Sequence, residues 1–267
     1  VGGGLQVQPS EFAKVGLIAS MAVLLGERRD GEEAPRGSDV VLVLLMAALP
    51  LALVLLQPDV GTAMVLAFVI LGVLAVSGAR ARWLAGLLVA GALAAALAVH
   101  AGALKDYQVE RFTSFTNPAA DASGAGYATR QARIAIGSGG VTGKGLFQGG
   151  QTGGAFIPEQ ETDFIFTVAG EELGLLGGGL IIALLGLVLW RGLTIAARAP
   201  DLFGRLLATG VVAWLAFQSF VNIGMTLGIT PVTGLPLPFV SYGGSAMFAN
   251  LIGVGLLLNV HRRTTEP

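Results

Sequence analysis

The chain has no cysteine and little charge, and these two shortages exclude several classes of protein. Without cysteine there is no disulfide and no thiolate ligand for a metal or redox centre. Only 12% of the 267 residues are charged, whereas a typical soluble domain has about 25%. The net charge of −1 supplies no basic field of the kind that attracts nucleic acid. We therefore expect neither a soluble domain nor a nucleic-acid partner.

Long apolar stretches take the place of the missing charge. Hydrophobic residues make up 54% of the chain, and the mean hydropathy is +0.74. Seven stretches approach the ~20 residues that a helix needs to cross a bilayer. They lie near 9–26, 39–57, 60–78, 82–103, 173–197, 203–227 and 244–261. The sequence predicts an all-α polytopic membrane helix bundle, a single integral-membrane domain over residues 1–267 in contact with membrane lipids.

Basic residues divide unevenly between the two ends of these stretches. One side carries ten, namely Arg28, Arg29, Arg36, Arg80, Arg82, Arg191, Arg198, Arg205, Arg262 and Arg263. The other carries five, namely Lys105, Arg111, Arg130, Arg133 and Lys144. The richer side is expected to be cytoplasmic, which places the C-terminus inside. The first stretch then begins outside. Since the chain opens on Val and a glycine-rich segment, we expect an incomplete N-terminus, with an odd number of spans before this one.

The connection from about 105 to 162 is long and polar, and we expect it to be functional. Within it, "GYATRQARIAIGSGG" is weakly amphipathic. This pattern favours a short helix on the outer membrane face, and a mobile loop with a nascent helix is the alternative.

Several ionisable residues lie in or next to the predicted membrane spans, where a charge is energetically costly. Glu11 and Lys14 are three apart on the first span and share a helix face. They are candidates for a polar cavity, or they neutralise each other near the interface. Asp59 follows Pro58 and precedes the third span, so it is either a helix cap or an acid that faces a substrate.

Three acids crowd the segment "PEQETDFIF" at 158–166, which ends in an apolar run. Asp163 is a candidate site residue or an N-cap, and Glu159 and Glu161 fit either a site or a solvated loop. Glu171 and Glu172 follow inside an apolar region. They favour a broken or re-entrant element over one long helix.

A proline-rich segment, "PVTGLPLPFVSYGGSAMFAN" at 231–250, precludes a continuous helix. Irregular backbone at membrane depth must line a cavity or be buried in protein. Ser241 and Tyr242 add hydrogen-bonding groups there. From these residues alone, an enzyme acting on a lipid-linked substrate and a transporter with a polar cavity both remain open.

Several segments occur together in the order of one known family. They are "QPSEFAK", "QPDVGTA", "ERFTSFTNP", "PEQETDFIF", "GEELGL", "NIGMTLGITPVTGLPLPFVSYGGSA" and "HRR". The chain resembles the SEDS family (shape, elongation, division and sporulation) through these motifs, which extend over essentially its whole length. "NIGM" and "PLPFVSYGGSA" are more similar to the RodA branch than to the FtsW branch.

The resemblance implies a fold of ten membrane helices, of which the seven here would be the fourth to the tenth. Segment 105–162 would be the family's large extracellular loop. It also implies a peptidoglycan glycosyltransferase in the bacterial cytoplasmic membrane, which polymerises lipid II during cell elongation with a class B penicillin-binding protein as partner. By the same resemblance Asp163 is the essential acid, and Glu11, Lys14 and Asp59 match other important positions.

The chemistry of this reaction assigns further roles. An α-linked donor and a β-1,4 product require inversion, so we expect direct displacement with Asp163 as the general base. Candidates for substrate binding are Glu11, Lys14, Asp59, Arg111, Arg130, Arg133, Glu159, Ser241 and Tyr242. Arginine suits bidentate contact with pyrophosphate. A divalent cation, Mg²⁺ or Mn²⁺, is an expectation without a dedicated motif.

Two alternatives use the same residues differently. A lipid II flippase would need polar groups down its whole path, whereas the mid-span segments are nearly free of charge. A scaffold that only recruits the transpeptidase would leave Glu11, Lys14 and the long loop without a role.

Overall fold

The computed structural model describes residues 7–27, 34–102, 105–116, 124–154 and 156–265. Within these ranges there are eleven helices and no strand. The helices are α1 Pro9–Gly26, α2 Gly37–Leu56, α3 Val60–Val76, α4 Ala81–His100, α5 Asp106–Thr116, α6 Ala125–Gly139, α7 Gly150–Gly153, α8 Ile165–Glu172, α9 Gly174–Arg198, α10 Leu202–Leu227 and α11 Gly244–Thr265.

The prediction of an all-helical, multi-span membrane protein is confirmed. Helices α1, α2, α4, α9, α10 and α11 are long and apolar enough to cross a bilayer. The predicted third span is the 17-residue helix α3, which is close to the shortest length of about 17 residues that spans. Hydrophobic length therefore located each of these helices to within a few residues.

The chain divides into two compact units. The first comprises Val1–Ala95, Val188–Phe217 and Gly244–Pro267, and the second comprises Ala96–Leu187 and Gln218–Gly243. The first unit contains α1, α2, α3, α11 and parts of the helices that pass between units. The second contains α5, α6, α7, α8 and the proline-rich segment. Each unit is described below by itself.

Close helix contacts build the core of the first unit. Helices α1, α2 and α3 pack against one another, and α11 packs against α1. At Gly210 a Cβ atom would lie 2.6 Å from Ile18 Cγ2 and 3.2 Å from Val73 Cγ2. Since any larger side chain would push these helices apart, glycine permits the close approach. Trp214 and Leu66 fill the interior and are fully buried.

The segment from 105 to 162 carries more regular structure than its composition suggests. Its described part contains α5, α6 and α7, and α6 packs against both α5 and α8. The predicted helix in "GYATRQARIAIGSGG" is confirmed as α6. Its small-residue face, Ala128, Ala132 and Ala135, joins a core with Ile157 and Phe164. This face packs against protein, and the expected placement of α6 on the outer membrane face stays a prediction.

The apolar region after Asp163 is broken into two helices, as predicted. Helix α8 has eight residues, and α9 begins at Gly174, whose φ is +67°. A Cβ there would lie 2.3 Å from the backbone nitrogen of Gly143. Both the left-handed backbone and the close loop require glycine at this break.

Candidate functional site

Asp163 ends a tight turn that the carbonyl of Glu159 organises. This oxygen accepts the N–H groups of Thr162 at 3.3 Å, Asp163 at 2.9 Å and Phe164 at 3.2 Å. Glu159 has a φ of +51°, a conformation that non-glycine residues rarely adopt. The cap position of α8 is Phe164, without a side-chain cap hydrogen bond. The N-cap interpretation of Asp163 is therefore wrong.

A buried amide attaches this turn to residues 228–243, which we call the proline loop. Asn222 is fully buried. Its Nδ2 donates to the carbonyl of Asp163 at 2.8 Å and to the carbonyl of Leu235 at 2.7 Å. One side chain thus fixes the backbone of the candidate acid and that of the proline loop together.

A second attachment comes from the other end of the proline loop. Ser241 accepts the N–H of Leu237 at 2.7 Å and donates its hydroxyl to the carbonyl of Thr162. Because this hydroxyl is buried and hydrogen-bonded to backbone, Ser241 holds the turn, and its expected role in substrate binding stays a prediction. The backbone N–H of Tyr242 donates to the carbonyl of Glu161 at 2.9 Å. The Tyr242 ring stays 76% exposed, as a substrate contact would require.

The Asp163 carboxylate lies beside a glycine of the proline loop. At Gly234, where φ is +76°, a Cβ atom would lie 3.4 Å from Asp163 Oδ2. Asp163 itself is half-buried. Glycine therefore lets the proline loop form a wall beside an acid that solvent still reaches.

Three of the predicted substrate-binding arginines line one small cleft in the same unit, which has a volume of about 30 Å³. Arg111, Arg130 and Arg133 line it together with Ser114, Phe115, Ala125, Thr129, Gly228, Thr230, Pro231 and Val232. Arg111 Nη1 also donates to the carbonyl of Thr233 at 3.4 Å. We call this space the arginine cleft.

The arginine cleft and Asp163 share the proline loop as a wall. Val232 lines the cleft, and a Cβ atom at Gly234 would lie 3.4 Å from Asp163 Oδ2. Two residues of extended chain span at most about 7 Å. The structure therefore brings the predicted acid and the three predicted arginines into one neighbourhood.

Glu171 belongs to a buried polar cluster that the sequence only partly indicated. The carboxylate is inaccessible to solvent and lies 2.7 Å from Lys144 Nζ. It also accepts the backbone N–H groups of Gln151 at 3.0 Å and Thr152 at 2.9 Å. Burial alone would raise the pKa of Glu171, but these hydrogen bonds outweigh it and hold the pKa at about 2. Glu171 is thus a structural anion that attaches the 144–152 segment to α8.

Glu11 and Lys14 form a sealed pair in the first unit. Lys14 Nζ lies 2.8 Å from Glu11 Oε1, with side-chain exposures of 0% and 2%. Lys14 Nζ also lies 4.8 Å from the centre of the Trp214 ring, within cation–π range. This geometry favours the self-neutralising pair, and the expected contact of either side chain with substrate stays a prediction.

Asp59 caps α3, as one of its two interpretations predicted. Its Oδ1 accepts the N–H of Thr62 at 2.9 Å, and its charge interacts with that of Lys14. The substrate role of Asp59 stays a prediction.

A divalent cation fits this site only if substrate supplies most of its ligands. Among the described residues, no three His, Cys, Asp or Glu side chains come together as a metal cluster. Glu159 is exposed, and its Oε2 accepts the Thr162 hydroxyl at 3.2 Å. Asp163 alone could join such an ion, with phosphate oxygens and water, an arrangement that suits Mg²⁺.

Comparison with known proteins identifies the family. Residues 1–266 match the model of the FtsW, RodA and SpoVE family, which is described as "cell cycle protein". The chain belongs to this family. Stage V sporulation protein E of Bacillus subtilis strain 168 is 40% identical over 261 residues, which are 97% of this chain and 70% of the relative. Peptidoglycan glycosyltransferase MrdB of Escherichia coli K12 is 42% identical over 259 residues, which are 97% of this chain and 69% of the relative.

A solved family structure agrees with the fold. This structure is described as "Structural coordination of polymerization and crosslinking by a peptidoglycan synthase complex". Its matching chain has a TM-score of 0.79 and 37% identity, and the match covers 100% of this chain and 73% of that one. The two relatives have nearly equal identities, so similarity alone does not place the chain in the RodA branch.

Proposed function

We propose that this chain is a peptidoglycan glycosyltransferase that polymerises lipid II into β-1,4 glycan strands. One observation carries the proposal most directly: Asp163 is fixed from both sides beside a cleft lined by three arginines. A relative 42% identical bears the name peptidoglycan glycosyltransferase. The elongation role follows from this relative and from the resemblance to the RodA branch.

The proposed reaction is a single displacement with inversion. The acceptor 4-hydroxyl attacks C1 of the donor sugar, so the new C–O bond forms as the bond from C1 to the pyrophosphate oxygen breaks. Asp163 takes the hydroxyl proton as general base, which commonly contributes about 10²–10⁴-fold to the rate. The leaving pyrophosphate departs as an anion and does not need a carboxylic acid to protonate it.

The arginine cleft supplies the positive charge that the leaving group needs. Guanidinium groups contact phosphate oxygens in pairs and stay charged throughout the reaction. Arg111, held to the proline loop at Thr233, would give the cleft a fixed position relative to Asp163. Asp163 is the residue that would hold a divalent cation, which would supply further neutralisation of this charge.

We place this multi-pass protein in the bacterial cytoplasmic membrane, with the C-terminus inside and the Asp163 site facing outward. The uneven distribution of arginine supports this orientation. A class B penicillin-binding protein is the proposed partner, because a relative of known structure was described in a complex that coordinates polymerization and crosslinking.

The decisive experiment compares Asp163→Asn with Glu161→Gln in purified protein given labelled lipid II and the partner transpeptidase. We expect Asp163→Asn to lose glycan polymer on a gel by about 10²-fold or more. Glu161→Gln, which removes a nearby exposed carboxylate, should retain it. Near-normal polymer from Asp163→Asn would refute the general base. Retained movement of labelled lipid II across vesicles, with no polymer from the wild type, would favour a flippase.

A further inference from the structure

A second basic cleft lies in the first unit, far along the sequence from Asp163. Its volume is about 360 Å³, and it is lined by Ala34, Pro35, Arg36, Gly37, Arg80, Arg82 and Trp83. This size falls within the range of about 300–1,000 Å³ that ligand pockets occupy. None of the roles proposed above uses these residues. We call this space the α2–α4 cleft.

Chain topology places this cleft at a membrane surface. Helices α2 and α3 are joined by a turn at residues 57–59 and pack against each other. The start of α2 and the end of α3 therefore lie at the same end of the pair, and α4 begins five residues after α3 ends. All three arginines flank these helix ends, where a polar ligand meets the edge of the bilayer.

The charge of the cleft selects an anion. Arg36, Arg80 and Arg82 are all exposed, and guanidinium groups bind phosphate oxygens bidentately. In the described segments 34–40 and 77–83 the one carboxylate is Asp39. It accepts the backbone N–H of Arg36 at 3.2 Å and the hydroxyl of Ser38 at 3.3 Å. Three arginines thus line the cleft, and the one carboxylate of these two segments already accepts two hydrogen bonds.

The apolar surroundings of the cleft favour a lipid over a soluble anion. Trp83 is half-buried and forms a wall next to Gly37, where a Cβ would lie 3.7 Å from its ring. Tryptophan favours the headgroup level of a membrane. Beyond it no residue of α4 is buried, and Leu88, Val89 and Leu93 present an apolar surface. A ligand with a phosphate head and acyl chains matches both parts.

We propose that the α2–α4 cleft binds the headgroup of an anionic phospholipid, whose acyl chains run along α4. Under the orientation proposed above, this lipid belongs to the cytoplasmic leaflet. Its binding requires neither lipid II nor glycosyl transfer, so the site can be tested even if the proposed activity fails.

The test is native mass spectrometry of the purified protein, released from bilayers of phosphatidylcholine mixed with phosphatidylglycerol. The variant Arg36→Gln/Arg80→Gln/Arg82→Gln removes the charge of the cleft. Its matched control, Arg191→Gln/Arg198→Gln/Arg205→Gln, removes the same charge from exposed positions on the same predicted side. We expect the cleft variant to retain at least about tenfold less phosphatidylglycerol, because each basic residue near a membrane contributes about fivefold in affinity. The control should bind like the wild type.

Two further arms make the outcome unambiguous. Arg36→Lys/Arg80→Lys/Arg82→Lys keeps the charge without the planar fork and should bind at an intermediate level. Thermal unfolding in phosphatidylcholine alone should be equal for all variants, since no anionic lipid is present. Equal loss of lipid from the cleft variant and the control would overturn the proposal. So would competition by inorganic phosphate at the same concentration as the lipid, or unchanged phosphatidylglycerol binding by the cleft variant.

Discussion

A buried carboxylate needs several donors, and Glu171 has three. They are Lys144 Nζ at 2.7 Å and the backbone N–H groups of Gln151 at 3.0 Å and Thr152 at 2.9 Å. These donors stabilise the charged form more than the neutral form, which explains why the pKa of Glu171 falls despite its burial. The second unit therefore depends on the ionisation of this residue.

Glu171→Gln should destabilise the protein at neutral pH. A fall of the pKa from its ordinary value of 4.5 to about 2 corresponds to about 3 kcal/mol of folding free energy. Since the pKa is depressed in the folded state, this contribution is complete above pH 4.5 and is lost as the pH falls to about 2. Thermal unfolding in detergent should show a gap between variant and wild type that closes over this window. Glu172→Gln is the control, and an equal gap for both variants would contradict the assignment.

The two interpretations of Asp59 separate through the choice of substitution. Asparagine caps helices about as well as aspartate, so Asp59→Asn should keep the hydrogen bond to Thr62 and remove only the charge. Asp59→Ala should cost about 0.5–2 kcal/mol of stability, the usual effect of losing a cap. If Asp59 acts only as a cap, the Asp59→Asn protein should make as much glycan polymer as the wild type, and its unfolding temperature should fall only by the loss of the charge interaction with Lys14. Loss of polymer from a fully stable Asp59→Asn protein would instead assign the charge to substrate.

At the scale of residues, the sequence identifies candidate functional residues more reliably than it identifies their contacts. Glu11 and Lys14 lie on one helix face, as spacing predicts, but only packing shows that this face is sealed by Trp214. Ser241 was singled out as a hydrogen-bonding group in an irregular loop, and its observed backbone partner, Thr162, lies 79 residues away in sequence. Contacts of such long range leave no local pattern.

At the scale of elements, Asn222 joins three segments that are distant in sequence. It lies on α10, and its two amide hydrogens go to the turn that precedes α8 and to the proline loop. Carbonyl acceptors on both sides demand a donor with two hydrogens. Only asparagine and glutamine side chains supply two such hydrogens without a charge, and the two carbonyl oxygens would repel a carboxylate.

Asn222→Asp should therefore displace Asp163 while leaving substrate contacts in place. A misplacement of about 1 Å can reduce a rate by about 10²-fold, so we expect a fall of this size in kcat with little change in KM for lipid II. Steady-state polymerisation assays measure both quantities. Asn259→Asp, an exposed position on α11, is the matched control. A rise in KM with unchanged kcat would show that Asn222 acts on binding and not on the position of the base.

Element boundaries could be predicted wherever the membrane dictates them. Apolar length located α1 and α10 to within a residue of their observed starts. The acids Glu171 and Glu172 indicated the break before α9, and the prolines of 231–250 indicated the irregular proline loop. Helices α5 and α7 were not predicted. They are polar and short, and α6 packs through alanines whose burial depends on α8 and Val232. Such helices are stabilised by tertiary contacts that no periodic pattern reports.

At the scale of the whole molecule, orientation in the membrane decides what the Asp163 site can reach. Donor and acceptor lipids presented at the outer leaflet are accessible only if the turn at residues 159–163 faces outward. The arginine distribution favours this orientation because cytoplasmic loops accumulate basic residues. The α2–α4 cleft must then lie inside, so the two proposed sites would serve opposite leaflets.

The absence of cysteine makes this orientation directly measurable. Because residues 1–267 contain no cysteine, a single introduced thiol is the only reactive one in this part of the chain. Glu161 and Arg198 are both exposed and lie on opposite predicted sides. In intact spheroplasts, a membrane-impermeant maleimide should label Glu161→Cys and spare Arg198→Cys, and both should react after lysis. The reverse labelling pattern would show that the protein has the opposite orientation in the membrane, in which Asp163 has no access to lipid II of the outer leaflet.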